Sequence, residues 1–283
     1  MKKIAFMCDS AADITVEEAK KLDIHVLRMP LSIEGKSYTE GVDISIEQIC
    51  DAIQNKKIVK TSQPVLGDML AMWDSLLENY DEVFYVPMMK SLSGTCMNAI
   101  NLSKEKPYAG RVFVLDSNYI AYPVVNLLVW AKEQTKLGHS LSEIKDKIEK
   151  DGGMYAVLIP ENLETLKQGG RITPAAAAMA SLLKIQPMLW LDENGIDQLG
   201  KVRTLKKAYT KGIEALIEGV DNFDDYYWMV IDACNMKMSD EFVPLLKKAA
   251  HQDVIEQHHF NAVILSHTGP GTLAFGRIKK LHF

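Results

Sequence analysis

Three short turns in the sequence are rich in hydroxyl side chains: Asp9-Ser10, Thr61-Ser62 and Ser91-Leu92-Ser93-Gly94-Thr95. A helix start leaves backbone N–H groups unpaired and carries a partial positive charge, so turns of this kind favour anions. Ser, Thr and Asp are also the preferred helix caps, and any one of these turns alone reads as a cap. The set gains meaning because the turns fall at strand ends or helix starts and point to one edge of one domain. Ligands of parallel α/β sheets gather at the carboxyl ends of the strands. In Ser93-Gly94-Thr95 the glycine allows close approach to the backbone, and the hydroxyls can donate to a bound anion. The lysine and glycine spacing of a phosphate-cradling loop is missing, so nucleotide binding gains little support.

The second half of the chain adds two candidates. Gly169-Gly170-Arg171 follows an apolar helical stretch and reads first as a helix C-cap, then as a tight turn that presents Arg171 to an anion. His267 stands in Ser266-His267-Thr268-Gly269-Pro270-Gly271-Thr272, directly after a predicted strand, where its ring can hydrogen-bond a carboxylate. No Asp or Glu is placed to complete a Ser/His/Asp triad, and there is no GxSxG elbow, so hydrolysis is weakly supported. Lys201, Arg203, Lys206, Lys207 and Lys211 form a basic run entering a helix. Its default reading is a solvated face; its functional reading is a docking surface for an acidic partner or an anionic membrane. The chain also holds 14 methionines, which fill cores and adapt well to floppy apolar ligands.

The elements that must position these residues follow from periodicity. In the first half, apolar strands at 2–8, 82–87 and 111–115 alternate with helices at 16–22, 45–53, 66–77, 96–102 and 124–136, the rhythm of a parallel sheet with right-handed crossovers. Glu34-Gly35-Lys36 predicts a hairpin that does not fit inside such a sheet and is expected to cover an edge or join another layer. After Gly152-Gly153 the rhythm changes. Strands are predicted at 154–159, 187–191, 198–203, 227–232 and 260–266, with helices near 163–168, 175–183, 205–218 and 238–250. A hairpin turn at Asp192-Glu193-Asn194-Gly195 makes this half α+β. The reading is therefore a three-layer α/β/α domain over 1–153 with a parallel sheet and hydroxyl-rich turns. An α+β domain over 154–283, with a largely antiparallel sheet, closes over the ligand.

Composition bounds the function. With 283 residues, 47% hydrophobic and 24% charged, the chain matches a globular protein with a substantial core. A net charge of −5 argues against non-specific nucleic-acid binding. The apolar run from Ile4 is stopped by Asp9, too short for a signal peptide, and no stretch is long enough to span a membrane. Cys8, Cys50, Cys96 and Cys234 are far apart and form no metal motif, so a reducing cytoplasm without disulfides is expected.

Taken in order, these motifs resemble the DegV family of fatty acid-binding proteins, the acyl-carrying subunits of bacterial fatty acid kinase. The similarity runs from Asp9-Ser10 through Thr61-Ser62-Gln63-Pro64, Ser91 to Thr95 and Asp116-Ser117. It continues through 163–172 (LETLKQGGRI), 183–189 (LKIQPML), 200–204 (GKVRT) and 267–271 (HTGPG), nearly the whole chain. The resemblance implies a long-chain fatty acid lying between two domains, with its carboxylate held by Thr61, Ser93 and His267; Ser62, Gly94 and Arg171 complete the expected head-group set. It implies a carrier with no catalytic residues, no metal and no cofactor. Its partner would be a dihydroxyacetone-kinase-like subunit that uses ATP to make an acyl-phosphate for phospholipid metabolism, with Arg203 and Lys201 near that partner or its phosphate. Transient membrane contact is compatible with the basic run. A lipid-responsive regulatory module and a phosphate-binding transferase or kinase are the alternatives. Ala11, Val65 and the bulky Tyr122-Pro123-Val124-Val125 depart from the family pattern, the last expected to reshape the tail pocket.

Overall fold

The computed structural model describes residues 2–40, 42–182, 184–234 and 236–283. The first elements are β1 (Ile4–Asp9), α1 (Val16–Leu22), β2 (Ile24–Leu27), β3 (Leu31–Ile33), β4 (Lys36–Tyr38), α2 (Ile46–Gln54), β5 (Val59–Thr61) and α3 (Leu66–Leu77). Next come β6 (Glu82–Val86), α4 (Thr95–Ser103), β7 (Val112–Val114), α5 (Pro123–Lys136), α6 (Leu141–Asp151), β8 (Met154–Ile159), α7 (Glu164–Gly169) and α8 (Pro174–Ala178). The chain ends with β9 (Gln186–Asp192), β10 (Gly195–Val202), α9 (Leu205–Ile217), β11 (Tyr226–Asp232), α10 (Met236–Ala249), β12 (Glu256–His259), α11 (Ala262–Thr268) and β13 (Leu273–Lys279).

Among the described residues these strands form three sheets. The first is parallel, in the order β2-β1-β6-β7. Its central strands are continuous apolar runs because both faces are covered. Successive side chains alternate between two cores: Phe6, Cys8, Phe84 and Val86 face one, Met7, Val83 and Tyr85 the other. Trp73 of α3 and Ala99 of α4 close the second core, while Val124 and Leu128 of α5 and Ile144 of α6 close the first. That gives the three α/β/α layers. The Glu34-Gly35 hairpin does join another layer, the three-stranded antiparallel sheet β4-β3-β5; both turn residues take positive φ, as such a tight hairpin requires.

The third sheet has six strands in the order β10-β9-β8-β13-β11-β12, antiparallel except for the last pair. One face packs Val157, Trp228 and Phe275 under α9 and α10, while the other turns Leu158, Met229 and Ala274 into the same core that covers the parallel sheet.

Four readings change. Residues 260–266 form no strand; from Ala262 they are helix α11. Its residues 262–266 are buried on every side, and a short helix of that kind has the same continuous apolar run as a buried strand. The strand in this region is β13, which follows the Gly-Pro-Gly turn and lies at the heart of the sheet. Helix α6, opened by a capping box between Ser140 and Glu143, and the polar edge strand β12 were not expected. The helix expected at 175–183 is α8 followed by one tight turn at Met179–Ser181, and Leu183 lies outside the described residues. Finally, Cys50 and Cys234 are joined as a disulfide across 184 residues of sequence, against the expectation of none, whereas Cys8 and Cys96 are buried and free. Helix α2 packs on α11, and Ala233 bonds by its backbone to the turn after α11, which brings the two sulfurs together in a way spacing does not reveal.

Helix α11 is fixed from outside. Its N-cap residue Asn261 makes no side-chain cap. Instead the Asn261 N–H donates to Asp13 Oδ1 at 2.9 Å and the Ala262 N–H to Glu40 Oε1 at 2.8 Å. Burial pushes the Asp13 carboxyl well above the usual range and raises Glu40 as well. Arg28 lies 3.8 Å from the second Glu40 oxygen. Because Ala262 is fully buried, Glu40→Ala leaves a donor without an acceptor and is expected to cost about 1–3 kcal/mol in urea unfolding. Glu40→Gln, which keeps an accepting oxygen, should lose less than half of that.

Candidate functional site

Five of the six expected head-group residues line one pocket: Thr61, Ser62, Ser93, Arg171 and His267. Thr61 is the last residue of β5, not a helix cap, because α3 starts only at Leu66. Its Oγ1 lies 2.6 Å from His267 Nε2, on the last turn of α11. Ser93 precedes α4, and its Oγ pairs with Thr95 Oγ1 at 2.9 Å and accepts the Thr95 N–H at 3.3 Å. The space that Gly94 leaves is taken by the protein itself: a Cβ there would sit 2.6 Å from Gln63 Nε2, and Gln63 Oε1 accepts from Asn98 Nδ2 at 3.0 Å. Gly94 therefore seats Gln63 against the start of α4.

Gly170 is the left-handed C-cap of α7 that the sequence led us to expect, with its N–H donating to Lys167 O. Gly169 has a second task. A Cβ on it would meet His267 Nδ1 at 2.4 Å, so only glycine leaves room for the imidazole. Arg171 is exposed at the rim and donates to Gly169 O. His267 Nδ1 is buried without a hydrogen-bond partner. Burial, with the Arg171 charge adding to it, lowers the imidazole from 6.5 to about 4, so the ring is neutral at pH 7. For the Thr61 hydroxyl to donate into the pocket it must accept from His267, which puts the ring proton on Nε2 and a lone pair on the unpartnered Nδ1.

The Asp9-Ser10 turn shapes the pocket without lining it. Asp9 accepts from Ala11 N at 3.1 Å and Met88 N at 2.9 Å, and Ser10 Oγ accepts from Met29 N at 3.0 Å. Met29 and Met88, so fixed, are walls of the pocket. Burial raises the Asp9 carboxyl to about 6. Ser117 does similar work, accepting the Tyr119 N–H in the loop that supplies Ile120.

Behind the polar pocket lies an apolar cavity with an empty volume of about 570 Å³. The two share Leu92, Ile120, Ile196, Ile264 and Thr268 as walls, so they adjoin across a single layer of side chains as a channel-shaped site, polar at one end and apolar along its body. The cavity exists because β8 and β13 present small residues where they face the parallel-sheet half: Ala156 stands opposite Gly276, with Ala274 one step along the same face. Sequence reasoning named none of these, since β13 was not recognised. Met154 and Met229 also line the cavity, and so does Pro123 from the bulky departure, while Tyr122 stacks on His258 outside it.

The basic run is not brought to this pocket. Lys201 lies next to the end of β10 and Arg203 just after it, before α9; both are exposed and neither lines the channel. Ile196, the β10 residue that does, is five and seven positions away, roughly 17–23 Å along the chain. Among the described residues no cluster of three or more His, Cys, Asp or Glu could hold a metal, and no helix is long and apolar enough to cross a membrane.

The DegV family model, described as an uncharacterised protein family, matches residues 3–280, and the chain belongs to that family. A DegV domain-containing protein of Streptococcus pyogenes is 30% identical over 290 residues, spanning 99% of this chain and 100% of its own length. The crystal structure of a fatty acid binding DegV family protein from Streptococcus agalactiae aligns with a TM-score of 0.86 at 29% identity, covering 99% of this chain and 100% of that one. DegV from Bacillus subtilis, described as a fatty acid binding protein, aligns at 0.84 and 26% identity over 99% and 100%.

Two outcomes test this geometry. The unfolded chain takes up a proton on His267 below about 6.5 that the folded chain refuses until about 4. The His267 contribution to stability is therefore complete above 6.5 and lost as the pH falls from 6.5 to 4. The urea midpoint of wild type, measured relative to His267→Gln, should decline across that window, with the shared carboxylates cancelling in the difference. In Gly169→Ala the ring is displaced from its seat, and its pKa followed by NMR should rise by about one unit toward the ordinary value.

Proposed function

We propose that the chain is a carrier that binds a long-chain fatty acid. Its carboxylate would sit among Thr61, Ser62, Ser93, Arg171 and His267, and its tail in the apolar cavity. The observation that carries this reading is the adjacency of the two spaces, which share Leu92, Ile120, Ile196, Ile264 and Thr268 as walls. A polar end set against an apolar body matches a monocarboxylate with an extended chain, and relatives of the same fold are fatty acid binders. Magnitudes agree with a binder dominated by its tail. A chain of about sixteen carbons gains roughly 12 kcal/mol from burial, at ~0.8 per methylene, before the costs of ordering. Hydrogen bonds to a charged carboxylate add about 1.5–3 kcal/mol each.

In this reading the portions 1–153 and 154–283 are the two units that close on the ligand. The carrier works in the cytoplasm, where ATP is available, and hands the exposed carboxylate end to a separate ATP-dependent kinase subunit of the dihydroxyacetone-kinase type. That subunit would form the acyl-phosphate that enters phospholipid metabolism. Arg171 at the rim would meet the phosphate, since a guanidinium can pair with two of its oxygens at once. Lys201 and Arg203, exposed and remote from the channel, are the proposed contact with the kinase subunit.

The test is native mass spectrometry of protein purified without added lipid, followed by titration of the delipidated chain with palmitate or oleate. A bound long-chain monocarboxylate is expected. Thr61→Val combined with Ser93→Ala should weaken binding by at least about tenfold, and the folded empty form should melt lower because the Thr61–His267 and Ser93–Thr95 hydrogen bonds are lost. Protein that neither carries nor binds such acids sinks the proposal. Unchanged affinity in the folded double variant would mark the two hydroxyls as structural.

A further inference from the structure

The apolar cavity does not simply end in packed core. Two of its walls, Pro123 and Ile278, are also walls of a separate groove on the outside of the molecule, with an empty volume of about 1230 Å³. One layer of side chains therefore separates the far end of the channel from the surface. The groove beyond it mixes apolar and aromatic residues, among them Tyr119, Leu127, Trp130 and Leu281, with a charged rim that includes Glu18, Glu133 and Lys279.

The placement of this wall follows from strand periodicity. On β13, Ala274, Gly276 and Ile278 point to the channel face, whereas Phe275 packs on Phe242 and Arg277 donates to the carbonyls of Leu216 and Glu218 on the other side. The small residues at 274 and 276 hollow out the sheet over a strand length of about 13 Å, and the first large side chain on that face is Ile278. In register with it stands Met154 on β8. Opposite, Pro123 is the first residue of α5, where the fixed φ of proline suits the helix start and holds the wall rigid. Ile278 is only 4% exposed despite lying next to an open groove, so it seals the channel.

We propose that Ile278, backed by Pro123, is the ruler for the ligand: it stops the methyl end of the acyl chain and sets the longest chain that binds without penalty. The inference rests on the fatty-acid reading above and adds a specificity residue to it. Below the limit, each further methylene moves from water into the cavity and improves affinity by about fourfold. Above it, the chain must bend or displace the wall, and affinity stops rising or falls. Removing the wall joins the cavity to the groove, where Tyr119, Leu127 and Trp130 are the apolar groups available to the emerging end.

The experiment is a calorimetric or displacement titration of delipidated protein with saturated acids from about ten to about twenty-two carbons, at concentrations below micelle formation. Wild type is expected to show the fourfold rise per carbon up to a break at one chain length. Ile278→Ala, which removes three carbons from the wall, should move the break about two carbons longer, and Ile278→Phe should move it shorter. Ile278→Val, a milder change, gives a smaller shift in the same direction if the alanine variant does not fold. A break that stays at the same carbon number in folded variants overturns the ruler while leaving the fatty-acid reading intact. Wild-type protein that binds no acid of any length overturns both.

Discussion

A buried amide N–H without an acceptor costs about 1–3 kcal/mol, and the first turn of α11 would bury two of them. Asp13 and Glu40, from the opposite half of the chain, accept both. Everything at the channel depends on that attachment. The helix carries Ile264 and Thr268 into the walls where the polar and apolar spaces meet, and it ends on His267. Two carboxylates kept in a dry environment are themselves unfavourable, as their raised pKa values show. The fold offsets that cost with the amides of α11, so the burial of the acids and the placement of the helix are stable only together.

The channel separates two kinds of interaction by position. Hydroxyls and an uncharged imidazole crowd one end, and small residues on β8 and β13 open the other. An apolar wall gains dispersion contacts when an apolar group packs against it, so the cavity favours an apolar occupant. Its walls rest on rigid elements: a six-stranded sheet below, α5 and α11 above.

Much of this was legible in the residues. The alternating strands and helices of the first half follow from periodicity because each helix has a one-sided apolar stripe and each strand a buried run. The hydroxyl turns were found because Ser and Thr at strand ends are polar where the neighbouring sequence is not. Three features were hidden for definite reasons. Residues 262–268 form a helix buried on all sides over 262–266, and this erases the 3.6-residue period that would identify it. The floor of the cavity is defined by the side chains that Ala156, Ala274 and Gly276 lack, and absence of bulk has meaning only once β13 is known to pair with β8. Gly169 reads as a helix end from sequence alone, while its need to be glycine comes from a ring 98 positions away on another element. The Cys50–Cys234 link is of the same kind, since it exists only because α2 and the turn beyond β11 flank one helix.

The neutrality of His267 leaves Arg171 as the single formal positive charge among the residues that line the polar pocket, and it stands at the rim in solvent. Arrival and departure of an anionic ligand are thus governed by different parts of the molecule. A rim charge acts over about a Debye length, attracts the ligand during diffusion and is readily screened by salt. Once the ligand is inside, its residence time depends on apolar contacts that salt does not screen. The encounter is therefore electrostatic in character and the grip is not, so the ionic composition of the surroundings can set how fast the channel fills without deciding how long it stays full.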